Sequence, residues 1–139
     1  MNEQLVLGLS LKEALEKEDF FISSSNLDAV TLLDNTDRWA SGVLLLVGPK
    51  GSGKTHLSTV WSKENKAKRV KLEAVLREME NGLDHEFVCV EDIDIIEKAE
   101  RQKKLKIEEG IFHLINSIGS RGGNLLISSR KMPNALSIG

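Results

Sequence analysis

The 139 residues contain only two prolines, one cysteine and no low-complexity tract. With 40% hydrophobic and 29% charged residues, that scarcity of breakers excludes a disordered chain and predicts one folded domain large enough to bury a core. The lone Cys89 has no partner for an internal disulfide. Flanked by Val88 and Val90, it reads as a small buried hydrophobe in a reducing compartment rather than a reactive thiol. Net charge is nearly absent as well. A formal charge of -2 and a pI of about 5.9 leave no electrostatic footprint for strong nucleic-acid binding, so no direct sequence-specific DNA binding is expected. No basic residue precedes the first apolar stretch, which polar residues interrupt by Ser10, and this excludes a secretory signal. The longest apolar run, Val43 to Val47, is far too short to cross a bilayer. A cytoplasmic protein with no membrane partner is expected, and no internal repeat divides it.

What the chain does contain is an alternation of strands and helices. Gly42 to Val47 is a continuous apolar run closed by Gly48, the pattern of a strand buried on both faces of a parallel sheet. Leu57, Val60 and Trp61 then recur at helical spacing to about Lys66. A short strand is expected at Arg69 to Lys71, followed by a short helix marked by Leu72, Val75, Leu76 and Met79 and ended by Asn81-Gly82. Phe87 to Val90 reads as the next buried strand. Ile107, Ile111, Leu114, Ile115 and Ile118 trace a helix stripe that Arg121-Gly122-Gly123 breaks, and Asn124 to Ser129 reads as a further buried strand. The alternation predicts an α/β fold with a parallel sheet and helices on both faces.

Between the first strand and its helix lie Gly48, Pro49, Lys50, Gly51, Ser52, Gly53, Lys54 and Thr55, a match to the P-loop pattern in its required strand, loop and helix context. The glycines allow a backbone that turns successive N–H groups toward phosphate oxygens, and the helix N-terminus adds its positive dipole end. Lys54 would neutralise the β and γ phosphates, and the Thr55 hydroxyl would sit on Mg²⁺. ATP or ADP with Mg²⁺ is the implied ligand. His56 follows as a candidate nucleotide contact, although its place at the helix start suits packing or capping too.

The strand Phe87 to Val90 ends in Glu91-Asp92-Ile93-Asp94, which places carboxylates at the C-terminal sheet edge where open α/β sheets bind ligands. Adjacent side chains on an extended strand point to opposite faces, so only one aims at a metal unless the backbone turns. Glu91 is taken as the metal candidate and Asp92 as the water-orienting one, the two forming the candidate catalytic pair. Ser128 and Ser129 end the last strand, where a polar side chain would lie beside a γ-phosphate. Arg130 follows, suited to phosphate, partner or solvent. Trp39 and Trp61 read as packing residues, and His85 and His113 lack the spacing of a zinc site.

The P-loop continued as Gly53-Lys54-Thr55-His56-Leu57 resembles that of the bacterial replication initiator DnaA and its relatives in the AAA+ superfamily. Phe20 to Asn26 resembles the segment with which that family lines the adenine pocket, which implies Phe21 and Asn26 as nucleotide contacts. Val90 to Asp94 resembles its Walker B strand, Ile111 to Asn116 the helix after it, and Leu126 to Arg130 falls where the family carries sensor 1. The resemblance implies a P-loop NTPase (AAA+) fold, a three-layer αβα body.

Within this family the chain is most similar to the Hda branch, regulators that promote ATP hydrolysis on DnaA after replication starts. Gln4-Leu5-Val6-Leu7-Gly8-Leu9 looks like the peptide by which that branch docks on the DNA polymerase sliding clamp. One polar anchor, Gln4, and three leucines, Leu5, Leu7 and Leu9, suit an apolar groove on a partner. The span between the P-loop helix and Phe87 is too short for the extra helical pair by which initiators grip DNA. The implied organisation is a clamp-binding segment with a short helix over 1–18 and a partial AAA+ domain over 19–139. DnaA and the clamp's β subunit are the implied partners.

Two departures stand out. Glu91 occupies a position where the superfamily usually has Asp, one methylene shorter, which implies impaired hydrolysis more than impaired binding. The sequence also stops at Gly139, before the arginine finger, fifth strand and helical lid of the family. A C-terminally truncated domain is therefore expected, its P-loop strand left with an open apolar edge in the family's 5-1-4-3-2 strand order. Two other classes compete with the regulator: a stand-alone P-loop ATPase, and an initiator or helicase-loader module that binds DNA.

Overall fold

The computed structural model describes residues 21–22, 31–39 and 42–131. The segment Gln4 to Leu9, Asn26 and the expected boundary at residue 18 lie outside them. The elements run β1 (Phe21–Ile22), β2 (Val43–Val47), α1 (Lys54–Asn65), β3 (Lys68–Val70), α2 (Val75–Glu80), β4 (Phe87–Val90), α3 (Arg101–Arg121) and β5 (Asn124–Ser129). Single-turn 3₁₀ pieces at Thr36–Arg38 and Leu72–Ala74 and a longer one at Ile93–Lys98 fill the connections.

All strand pairs are parallel, in the order β1-β2-β5-β4-β3. Parity along β2 divides the core in two. Val43, Leu45 and Val47 join Val88, Val90, Leu125 and Ile127 under the α3 stripe Ile107, Ile111, Leu114, Ile115 and Ile118. Leu44 and Leu46 join Cys89 and Leu126 on the opposite face, against Trp61 of α1. A sheet buried on both faces between helical layers is the three-layer αβα arrangement expected from the apolar runs. Trp39 and Trp61 stack at 5.5 Å and Phe87 meets Trp61 edge-on at 5.9 Å, so both tryptophans are packing residues. Burial pushes the Cys89 thiol up to about 11. The thiol is therefore protonated at neutral pH and inert.

One expectation is corrected. The outer edge of β2 is not open along its whole length: β1 pairs with it, Phe21 opposite Leu46 and Ile22 opposite Val47. Unpaired backbone groups at a buried strand end are costly, and a two-residue strand suffices to satisfy them. β3 also begins one residue earlier than its sequence pattern suggests, because Val70 is buried at 6% exposure while Lys71 is solvent-facing.

Candidate functional site

The site forms where β2, β4 and β5 end together. β2 gives way to the loop at Gly48, whose N–H donates to the Ser129 carbonyl at 3.1 Å, tying the loop to the end of β5. The loop turns tightly, with the Ser52 N–H donating to the Pro49 carbonyl at 3.1 Å. Gly51 and Gly53 take φ of +84° and +95°, the left-handed region that side chains other than glycine rarely adopt. No side chain caps the N-terminus of α1, so its first N–H groups keep their capacity for an anion. The Ser52 hydroxyl is buried with no hydrogen-bond partner among the described residues. Nothing lies within 4 Å of where a β-carbon at Gly51 would stand. An uncapped helix start, an orphaned donor and an open cradle together fit a phosphate group.

Lys54 is only 7% exposed. Its ammonium folds back into the loop, donating to the Pro49 carbonyl at 3.0 Å and to the Gly48 carbonyl. Burial lowers its pKa, Asp92 and Asp94 oppose that, and Arg130 adds to it. A desolvated cation held by two carbonyls gains most from a dianionic ligand.

The cleft above the loop has a volume of about 510 Å³, lined by Lys50, Gly51, Gly53, Lys54 and Thr55 of the loop and helix start and by Asp92, Ile95 and Arg130. A larger groove of about 590 Å³ lies beyond Asp92 and Ile95, which line both. The P-loop residues line the smaller one.

Glu91 and Asp92 go separate ways. Glu91 shares the parity of Cys89, which packs on the α1 face, so its carboxylate reaches α1. One oxygen accepts from the Ser58 hydroxyl at 2.6 Å and the other is paired with Arg69. Asp92 then turns the chain, at φ 58° and ψ 50°, a left-handed conformation that Asp tolerates better than most residues. The Ser128 hydroxyl fixes this turn by accepting from the Asp92 N–H at 2.9 Å. Asp92, not Glu91, therefore lines the phosphate cleft. Thr55 and Asp92 supply one hydroxyl and one carboxylate there, the hard oxygen donors that Mg²⁺ takes alongside phosphates. Among the described residues no group of three or more His, Cys, Asp or Glu would hold an ion alone.

Other sequence candidates are placed apart. His56 is exposed and does not line the cleft. Ser128 and Ser129 are buried at 2% and 0% exposure, and the Ser129 hydroxyl bonds the backbone of Lys131. Phe21 contributes its backbone to β1. Sequence reasoning missed Ser58 and Arg69, and gave Asp94 a place in the acidic cluster but no role. The sheet register held one signal, since Arg69 pairs with Cys89 and so stands diagonal to Glu91 on the same face.

Asp94 is 4% exposed and accepts from the Arg130 N–H and Nε, each at 2.9 Å. Burial alone would raise its pKa, but the backbone and side-chain hydrogen bonds from Arg130 outweigh that and hold the carboxyl below its ordinary range. Its folded pKa thus lies below the unfolded one. The carboxylate stabilises the fold above about pH 4, and this is lost as pH falls through the lower folded value. Asp94→Asn is expected to cost about 2 kcal/mol at neutral pH and to flatten the acid limb of a Tm against pH profile.

No family model matches the chain. An uncharacterized protein of Haemophilus influenzae is 30% identical over 148 residues, covering 99% of this chain and 62% of that protein. Among solved structures, DnaA from Aquifex aeolicus with bound AMPPCP superposes with a TM-score of 0.61 at 16% identity, over 86% of this chain and 42% of that one. A DNA replication initiation factor gives 0.64 at 17% identity, over 88% and 43%. A replication initiator DnaA bound to AMPPCP and single-stranded DNA gives 0.59 at 16% identity, over 83% and 41%. The chain thus spans less than two thirds of the length of each of these proteins. No helix among the described residues is long and apolar enough to cross a membrane. With its sheet order and cleft geometry, the chain has the fold of these DnaA structures, a P-loop α/β body with a parallel sheet.

Proposed function

We propose that the chain is an adenine-nucleotide-binding regulator of chromosomal replication initiation, of the Hda type, that docks on the sliding clamp and acts on DnaA to promote its ATP hydrolysis. The observation that carries the nucleotide part is the cleft at the ends of β2, β4 and β5, where Lys54, Thr55, Asp92 and Arg130 face one space. A magnesium nucleotide bound there would supply the phosphate charge that Lys54 answers. The chain's own residues would bind and orient it: the loop N–H groups and Ser52 would cradle phosphate, Lys54 would answer a phosphate oxygen, and Thr55 with Asp92 would hold the metal shell. Glu91, paired with Ser58 and Arg69, keeps α1, β3 and β4 in register around the site.

Two features support a regulator over an initiator. Only β3, one 3₁₀ turn and α2 fill the span between α1 and β4, without the extra helical pair of initiators. The segment Gln4 to Leu9 has the anchor and leucines of a clamp-docking peptide. A Gln4→Ala/Leu5→Ala variant is expected to lose capture by immobilised clamp by about 10-fold or more, as an anchor residue at an interface does. Capture equal to that of the parent chain would end the clamp assignment.

A second reading is favoured by the larger groove. Lys71, Lys98 and Lys103 line it, with no ion-pair partner among the described residues, and one similar DnaA structure holds single-stranded DNA. Anisotropy titration with labelled single-stranded DNA separates the readings. The regulator predicts little affinity, whereas a strand in the groove gives a salt slope that falls by about 0.7 for each lysine replaced.

A further inference from the structure

The hydroxyls at the end of β5 are already engaged, Ser128 by the Asp92 N–H and Ser129 by Lys131. The next residue is placed differently. Arg130 lines the phosphate cleft together with Lys54, and among the described residues its hydrogen bonds run through its N–H and Nε, both to the buried Asp94. Its two terminal Nη groups have no hydrogen-bond partner among the described residues. Asp94 is itself fixed within the 3₁₀ segment Ile93–Lys98. Three residues per turn place Glu97 on the same face, where it pairs with Lys131 at 2.6 Å. Two successive cations leaving β5 are thus gripped by two successive turns of one segment.

An arginine held by its Nε keeps a planar fork of N–H donors in a fixed direction, the geometry that recognises phosphate in a bidentate manner. We infer that Arg130, oriented by Asp94, is the residue that distinguishes a nucleoside triphosphate from a diphosphate, by donating its Nη groups to the terminal phosphate. Arg130 is the specificity-determining residue and Asp94 the positioning one. Ser128 and Ser129, the sequence candidates for a place beside a γ-phosphate, do not line the cleft. The inference rests on the reading of the P-loop cleft as a nucleotide site.

The test is equilibrium titration of the full chain with ATP and with ADP, each with magnesium, for the parent, Arg130→Gln, Arg130→Lys, Asp94→Asn and Lys54→Ala. Arg130→Gln is expected to weaken ATP binding by about 10-fold to 100-fold while ADP binding stays within about twofold. Arg130→Lys keeps the charge without the fork and should lose most of the preference as well. Asp94→Asn should lower the ratio of ATP to ADP affinity part of the way, a change that a merely structural role would not produce. Equal losses for the two nucleotides in Arg130→Gln, or an unchanged ratio, would overturn the inference while leaving the nucleotide site standing. If Arg130→Gln melts below the assay temperature, the ratio measured for Arg130→Lys decides. A parent chain that binds neither nucleotide, or binding that survives Lys54→Ala, would defeat the site and the inference together.

Discussion

Lys54→Ala is expected to weaken ATP and ADP binding by about 100-fold, the scale of charge-assisted hydrogen bonds to phosphate in a partly desolvated site. A fluorescent nucleotide titration measures it. The size of the effect follows from where the ammonium sits: 7% exposed, inside a loop whose carbonyls hold it until an anion arrives. The free protein should respond in a different sense. Burial already disfavours the charged form, so removing the cation relieves a desolvation cost, and the Tm without nucleotide should change little. What disappears is the rise in Tm that nucleotide brings to the parent chain. A mutation that lowered both Tm values equally would point instead to a structural lysine.

Gly42→Ala carries the largest expected effect on stability, a loss of about 3 kcal/mol. Gly42 leads into β2 at φ +76°, and a β-carbon there would stand 2.3 Å from the Gly123 carbonyl oxygen. The left-handed backbone costs an alanine about 1–2 kcal/mol and overpacking against a rigid backbone about 1–3 kcal/mol more. Neither group can yield cheaply, because Gly123 is held by its own N–H bond to the Ile118 carbonyl and stands at the start of β5. Urea unfolding measures the loss as a shift in midpoint at constant slope. The position is remote from the P-loop, so nucleotide affinity of the folded fraction should be preserved.

The centre of the sheet was legible in the sequence because it is buried on both faces. Val43 to Val47, Phe87 to Val90 and Asn124 to Ser129 are the central strands, and each is built on an apolar run, Leu125 to Ile127 in the last, between polar or glycine boundaries. The isoleucine and leucine stripe of α3 was legible for the same reason, since its spacing matches the face that covers Val88 and Leu125. β1 was not, because two residues carry no periodicity. The 3₁₀ segment Ile93–Lys98 was hidden too, as its start depends on a left-handed Asp92 and aspartate announces no such backbone.

At the site, residues contiguous in the chain were legible and those brought from afar were not. The loop from Gly48 to Thr55 declares itself by glycine spacing. Glu91 and Asp92 could be named as a pair, but their division of labour follows from strand parity plus the turn that Ser128 fixes. Asp94 and Arg130 lie 36 residues apart, and neither belongs to a local pattern that predicts the other. The short span between α1 and β4 was legible as a length alone, and the groove it helps to form required the fold.

The most direct measurement is isothermal titration of the chain with ATP, in the presence and absence of magnesium. One nucleotide bound per chain, more weakly without the metal and lost in Lys54→Ala, is the result expected of a phosphate cleft built from Lys54, Thr55 and Asp92. No binding by the parent chain, or binding indifferent to both magnesium and Lys54, would contradict a nucleotide site at the P-loop.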